Sequence, residues 1–97
     1  MLDVSMIRSF RCSETRAIHE GFASRPFRGI EDQTRKRLRW LDAATSLADL
    51  SAIRGNRLEA LKGDRHGQHS VRVNDRWRIC FSWHDGNVYD VEIVDYH

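Results

Sequence analysis

The sequence predicts an α+β domain of order β-α-α-β-β-β, with two helices covering one face of a twisted, mostly antiparallel sheet. Three observations predict it. Apolar residues between Ile30 and Thr45 recur at helical spacing, and from Arg57 onward the period shortens to two. Between the last two alternating runs stands Asp85-Gly86, a strong hairpin signal. Ninety-seven residues suffice for one modest core, so 1–97 reads as a single domain.

The elements follow in order. "SMIRSFRC" (Ser5 to Cys12) alternates apolar and polar residues, which predicts a short strand. Ser13 precedes "ETRAIHEGFA" as a candidate N-cap, with an acid in the first turn and Ile18 and Phe22 on one helical face. "SRPFRG" holds the only Pro and a Gly and predicts a turn. The second helix, "IEDQTRKRLRWLDAAT", places Ile30, Leu38, Leu41 and Ala44 on one face, with Glu31 and Asp32 at its positive end. "SLADLSAI" adds a short helical turn. "RLEALKG" and "QHSVRVN" read as short strands, and Asn74-Asp75 as a turn. "RWRICFSW" puts Trp77, Ile79, Phe81 and Trp83 on the core face and Arg76, Arg78, Cys80 and Ser82 on the other; in the last strand Tyr89, Val91 and Ile93 point inward.

Composition narrows the class. The chain is 40% apolar and 31% charged, as expected of a soluble globular protein. It has no apolar run near the ~20 residues a membrane helix needs. "MLDVSMIRSF" lacks the basic and apolar regions of a signal peptide, so the expected compartment is cytoplasmic. Cys12 and Cys80 are too few and too isolated for a disulfide framework and read as small apolar residues. Fourteen of the sixteen basic residues are Arg, and none lies beyond Arg78. Sixteen basic against ten acidic residues give +6 over 1–78, and four acids give −4 over 79–97. Arg suits bidentate contact with phosphate or carboxylate, which points to a nucleic-acid or acidic-protein partner. A salt-bridged surface would account for the composition equally well.

Several chemistries find no pattern. His66 and His69 are spaced H-x-x-H but have no third ligand at a suitable offset, and "LKGDR" is not a nucleotide-binding loop. There is no nucleophile elbow, and neither Cys has a local His and acid. The C-terminal half carries more. If the last two strands pair through Asp85-Gly86, Arg78 lies opposite the returning residues 92–96, and Lys62 arrives from the preceding segment. Lys62, Arg78, Tyr96 and His97 then form a cationic pocket with one aromatic plane and one titratable ring. Those parts suit RNA cleavage: cations stabilise charge on a phosphoryl group, Tyr stacks on a base, and His moves a proton near neutral pH. A cross-strand pair of Arg78 with Glu92 or Asp90, and an inert terminal His97, are the competing structural readings.

With "MIRSF", "RLEALKGDRHGQHSVRVNDRWRICF" and the terminal "IVDYH" in hand, the chain resembles the HigB-type toxins of the RelE/ParE superfamily over nearly its whole length from Met6. Residues 1–5 precede the family's usual start and are expected to be an extension. The resemblance implies a compact RelE-like fold and a ribosome-dependent endoribonuclease that cuts mRNA in the ribosomal A site. The implied reaction needs no metal or other cofactor: the ribose 2′-OH attacks the adjacent phosphate. Lys62 and Arg78 match basic pocket residues of the family, and Asp95, Tyr96 and His97 its C-terminal active-site triplet. Where members carry a His before the L-K-G-D element, this chain has Glu59, which implies a weaker enzyme or one whose base is a carboxylate. The implied roles are transition-state charge for Arg78, phosphate or 2′-OH contact for Lys62, base stacking for Tyr96, proton transfer for His97 and orientation for Asp95. Arg57, Arg65 and Arg76 are expected to contact RNA. The implied partners are a HigA-like antitoxin with a helix-turn-helix domain, the ribosome with its rRNA and mRNA, and operator DNA through the antitoxin, with no membrane. Two alternatives keep the fold: a ParE-like protein that inhibits gyrase by contact, and a toxin that acts only as an antitoxin-bound co-repressor.

Overall fold

A computed structural model describes residues 6–95; the expected extension at 1–5 and the site candidates Tyr96 and His97 lie outside the described residues. Among the described residues three α-helices, α1 (Ser13–His19), α2 (Glu31–Ala43) and α3 (Leu47–Ala52), precede four strands, β1 (Glu59–Ala60), β2 (Gln68–Arg72), β3 (Trp77–His84) and β4 (Asn87–Asp95). The strands form one antiparallel sheet in the order β1-β2-β3-β4. The α+β class stands.

The first segment departs from expectation. In place of a regular strand it makes two isolated parallel bridges to β4, Ile7 to Val88 and Phe10 to Val91. Its backbone is held from the helical side too, because Asp42 Oδ1 at the end of α2 accepts from the N–H groups of Met6 and Ile7, each at 3.0 Å. The N-cap of α1 is Cys12, and Ser13 is already helical, its hydroxyl spent on Glu14. The helix closes at His19, so Phe22 falls past its end and is 64% exposed instead of continuing the Ile18 face. Helix α2 forms as its pattern predicts, burying Thr34, Leu38 and Leu41. Two of its arginines serve the fold: Arg35 Nε donates to the Ile18 carbonyl and Arg37 Nε to the Arg72 carbonyl.

The core lies between the helices and one sheet face, where Ile18, Leu38, Leu41 and Leu50 meet Val71, Ile79, Phe81, Val91 and Ile93. Asp85 and Gly86 both take positive φ, as a tight two-residue hairpin turn requires, and join His84 to Asn87. Farther along, the register slips by one residue between Cys80 and Ser82, where Asp90 on β4 adopts φ 56. The extra residue inverts the alternation on the turn side of the bulge. Val88 is therefore fully buried and Tyr89 only half-buried, which corrects the expected inward set of Tyr89, Val91 and Ile93.

Candidate active site

On the sheet face away from the helices, pairing lines up Glu59, Ser70, Cys80 and Glu92 across all four strands. Arg78 and Val94 form the next pair toward the chain's end. A cleft of about 460 Å³ opens here, lined by Glu59, Lys62, Arg65, Cys80, Val94 and Asp95 among others. Backbone geometry builds its rim. Lys62 follows β1 in extended conformation and caps a 3₁₀ turn at Gly63–Arg65, where Gly63 needs positive φ. That turn brings Arg65 over the sheet.

Arg78 is the buried member, its side chain only 8% exposed. Its Nε donates to Ser70 Oγ at 2.7 Å, and its Nη2 to the carbonyls of Arg57 at 2.6 Å and Ser70 at 3.3 Å. The Glu59 carboxylate stands 3.7 Å from the same Nη2 and is half exposed. The competing pairing of Arg78 with Glu92 or Asp90 does not form: Glu92 pairs with Arg65 at 2.8 Å and with Arg11 at 3.9 Å, while the Asp90 N–H donates to Ser9 Oγ at 2.8 Å and its carboxylate accepts from that hydroxyl at 3.5 Å. Glu92 beside Arg65 raises that guanidinium's pKa, so Arg65 is a permanent cation at the cleft. Arg76 is exposed, lies over the Trp77 ring and pairs with Asp95 at 3.0 Å. The side chain of Arg57 is exposed just before β1, so its contact with the site is made through its backbone.

Cys80 sits in the cleft wall almost fully buried. Burial pushes its thiol pKa up, with Glu92 adding to the effect and Arg65 and Arg78 opposing it. The thiol therefore stays protonated at neutral pH and is a poor nucleophile. His66 is exposed and His69 stacks on Phe81 in the sheet. Among the described residues no group of His, Cys, Asp and Glu gathers as metal ligands.

Of the residues picked from the sequence, Glu59, Lys62, Arg65 and Asp95 line the cleft and Arg78 adjoins it through Glu59; Arg57 and Arg76 flank it. Sequence reasoning missed Ser70 and the Arg57 carbonyl. The strand gave little signal for Ser70, because Gln68 and Arg72 on the same face are polar and alternation alone does not foretell its burial. A second concavity of about 480 Å³, at the start of α2, is lined by Glu31 and Asp32. Arg35 is the one cation in its lining, whereas Lys62 and Arg65 offset Glu59 and Asp95 in the cleft over the sheet, so that cleft suits phosphate better.

Residues 14–97 match the family model of RelE-like toxins of type II toxin–antitoxin systems, HigB. The chain is 34% identical over 93 residues to "Endoribonuclease HigB" of Proteus vulgaris, covering 95% of this chain and all of that protein. It is 44% identical over 57 residues to "Toxin HigB-1" of Vibrio cholerae, covering 59% of this chain and 60% of the relative.

Proposed function

The chain belongs to the RelE-like HigB toxins of type II toxin–antitoxin systems, and on that premise we propose that it is an endoribonuclease cutting mRNA in the ribosomal A site. The observation that carries the reading is the buried Arg78 guanidinium, fixed by Ser70 and the Arg57 carbonyl beside a cleft that Lys62 and Arg65 line. A positioned cation in a partly desolvated site acts where charge builds on a phosphoryl group. RNA supplies the nucleophile itself. The 2′-OH loses its proton to a base and bonds to the adjacent phosphorus, the bond to the 5′-oxygen breaks, and an acid protonates that leaving oxygen. The products are a 2′,3′-cyclic phosphate and a 5′-OH.

Glu59 is the base in this reading, being a half-exposed carboxylate at the cleft, and His97 the acid. Lys62 contacts the phosphate, Tyr96 stacks on a base, and Asp95 orients the end of the chain through Arg76. Arg65 and Arg76 give the RNA backbone a cationic approach. The family's partner is an antitoxin, here read as a HigA-like helix-turn-helix protein that carries the toxin to operator DNA. Primer extension on mRNA in translating ribosomes, with purified protein, tests the reading. Cuts confined to A-site codons support it. Equal cutting of naked mRNA overturns ribosome dependence, and no cutting in either format favours a toxin that acts by binding alone.

A further inference from the structure

We propose that Ser70 is a positioning residue, which together with the backbone carbonyl of Arg57 holds the Arg78 guanidinium in its working orientation. The inference rests on the reading of Arg78 as the phosphate-facing cation. Ser70 is completely buried in β2, between Gln68–His69 and Val71. A strand interior favours β-branched or aromatic residues, and a buried hydroxyl is costly unless bonded. Its Oγ accepts from Arg78 Nε at 2.7 Å across the diagonal of the β2–β3 ladder, and its own carbonyl accepts from Nη2 at 3.3 Å. Arg57 completes the cradle. It takes φ 45, a left-handed conformation unusual for a residue with a side chain, and its carbonyl meets Nη2 at 2.6 Å.

The neighbouring arginines show why these acceptors matter. Arg65 is held by the Glu92 carboxylate at 2.8 Å and Arg76 by Asp95 at 3.0 Å. Both remain more exposed than Arg78, at 37% and 62% against 8%. Ser70 and the Arg57 carbonyl add neutral acceptors to the Glu59 contact and restrict a long, rotamer-rich side chain. Glu59 approaches the same nitrogen at 3.7 Å from a half-exposed position, so an incoming phosphate can displace it while the cradle stays closed.

The test is single-turnover cleavage of mRNA on translating ribosomes by wild type, Ser70→Ala, Ser70→Cys and Ser70→Thr, with melting curves for each. Because a misplacement near 1 Å costs on the order of 10²-fold in rate, Ser70→Ala and Ser70→Cys should lower the rate at saturating toxin by roughly 10–100-fold while the half-saturating concentration moves less than about threefold. Ser70→Thr, which keeps the hydroxyl, should restore most of the rate. A folded Ser70→Ala or Ser70→Cys protein with wild-type rate overturns the proposal, as does a folded Ser70→Thr as slow as Ser70→Ala. Loss of the fold in both Ala and Cys variants makes Ser70 structural and overturns it too. Arg78→Ala separates the two levels: if that variant cuts normally, the reading of Arg78 has failed; if it is slow and Ser70→Ala is fast, only the positioning role has.

Discussion

Replacing Arg78 by Ala tests fold and chemistry together, and the structure lets the two effects be separated. The side chain is 8% exposed and makes two short hydrogen bonds, to Ser70 Oγ and to the Arg57 carbonyl. Bonds from a charged donor contribute roughly 1.5–3 kcal/mol each. Part of that is offset because Ala no longer buries a guanidinium, so a net loss of about 2–4 kcal/mol is expected. For a domain of this size that lowers the melting temperature by roughly 10–25 °C, leaving a folded protein if stability lies in the usual range of about 5–15 kcal/mol. The chemical loss is separate: removing one transition-state charge donor costs about 10²–10³-fold in rate. Single-turnover cleavage on ribosomes, run well below the melting point of the variant, reads that loss alone. Arg78→Lys should fall between, since a point charge cannot span Ser70 and Arg57 at once. A folded Arg78→Ala protein that cuts within a few-fold of wild type refutes the reasoning and leaves Arg78 as a structural tie between β2 and β3.

Three further outcomes are expected. Glu59→His should raise cleavage if the carboxylate weakens the site, both by lacking an imidazole's cationic form and by standing near Arg78; unchanged or lower activity in a folded variant would mean the site is built around the acid. Deleting Tyr96 and His97 removes none of the buried set Val88, Val91 and Ile93, so melting should change little. Cleavage should nevertheless fall by at least ~10²-fold through loss of a positioned acid–base group, and a folded truncated protein cutting at full rate would sink the proposed role of the terminal triplet. In acid, hydrogen bonds from its own backbone N–H and that of Gly29 hold Glu31 below the usual carboxylate range, and Thr45 does the same for Asp49. A depressed folded pKa stabilises above the unfolded values of 4.5 and 3.8 and is lost as pH falls through the folded ones. Melting curves should therefore show Glu31→Gln and Asp49→Asn less stable than wild type at neutral pH, with the gap closing in stronger acid; a gap independent of pH would contradict this.

Much of the fold was legible because it rests on local periodicity. Helix α2 announces itself through Leu38 and Leu41 and its acidic first turn, and Asp85-Gly86 dictates a hairpin through positive φ at both positions. What was not legible depends on partners distant in the chain. Alternation cannot foresee the slipped register at Asp90, which exchanges Tyr89 for Val88 in the core. Nor can it tell that residues 6–10 will meet β4 at only two bridges, because Asp42 and β4 share their backbone groups. For the site, the residue types in "LEALKGDR" and around Arg78 were enough to nominate the cleft. The cradle was not readable, since one of its acceptors is a main-chain carbonyl that any residue at position 57 would supply.

The parallel seating of the first segment on β4 bears on the order in which the fold can close during synthesis. Ile7 waits for Val88, and Phe10 for Val91, so the segment ahead of α1 has no strand to dock on until β4 has been translated. The same late strand brings Val94 and Asp95 to the cleft and supplies Glu92 to Arg65. A polypeptide still short of β4 therefore has neither the sheet edge that seats the first segment nor a finished cleft wall. A chain cut short of that point has Lys62 and Arg65 without the opposite wall of the cleft.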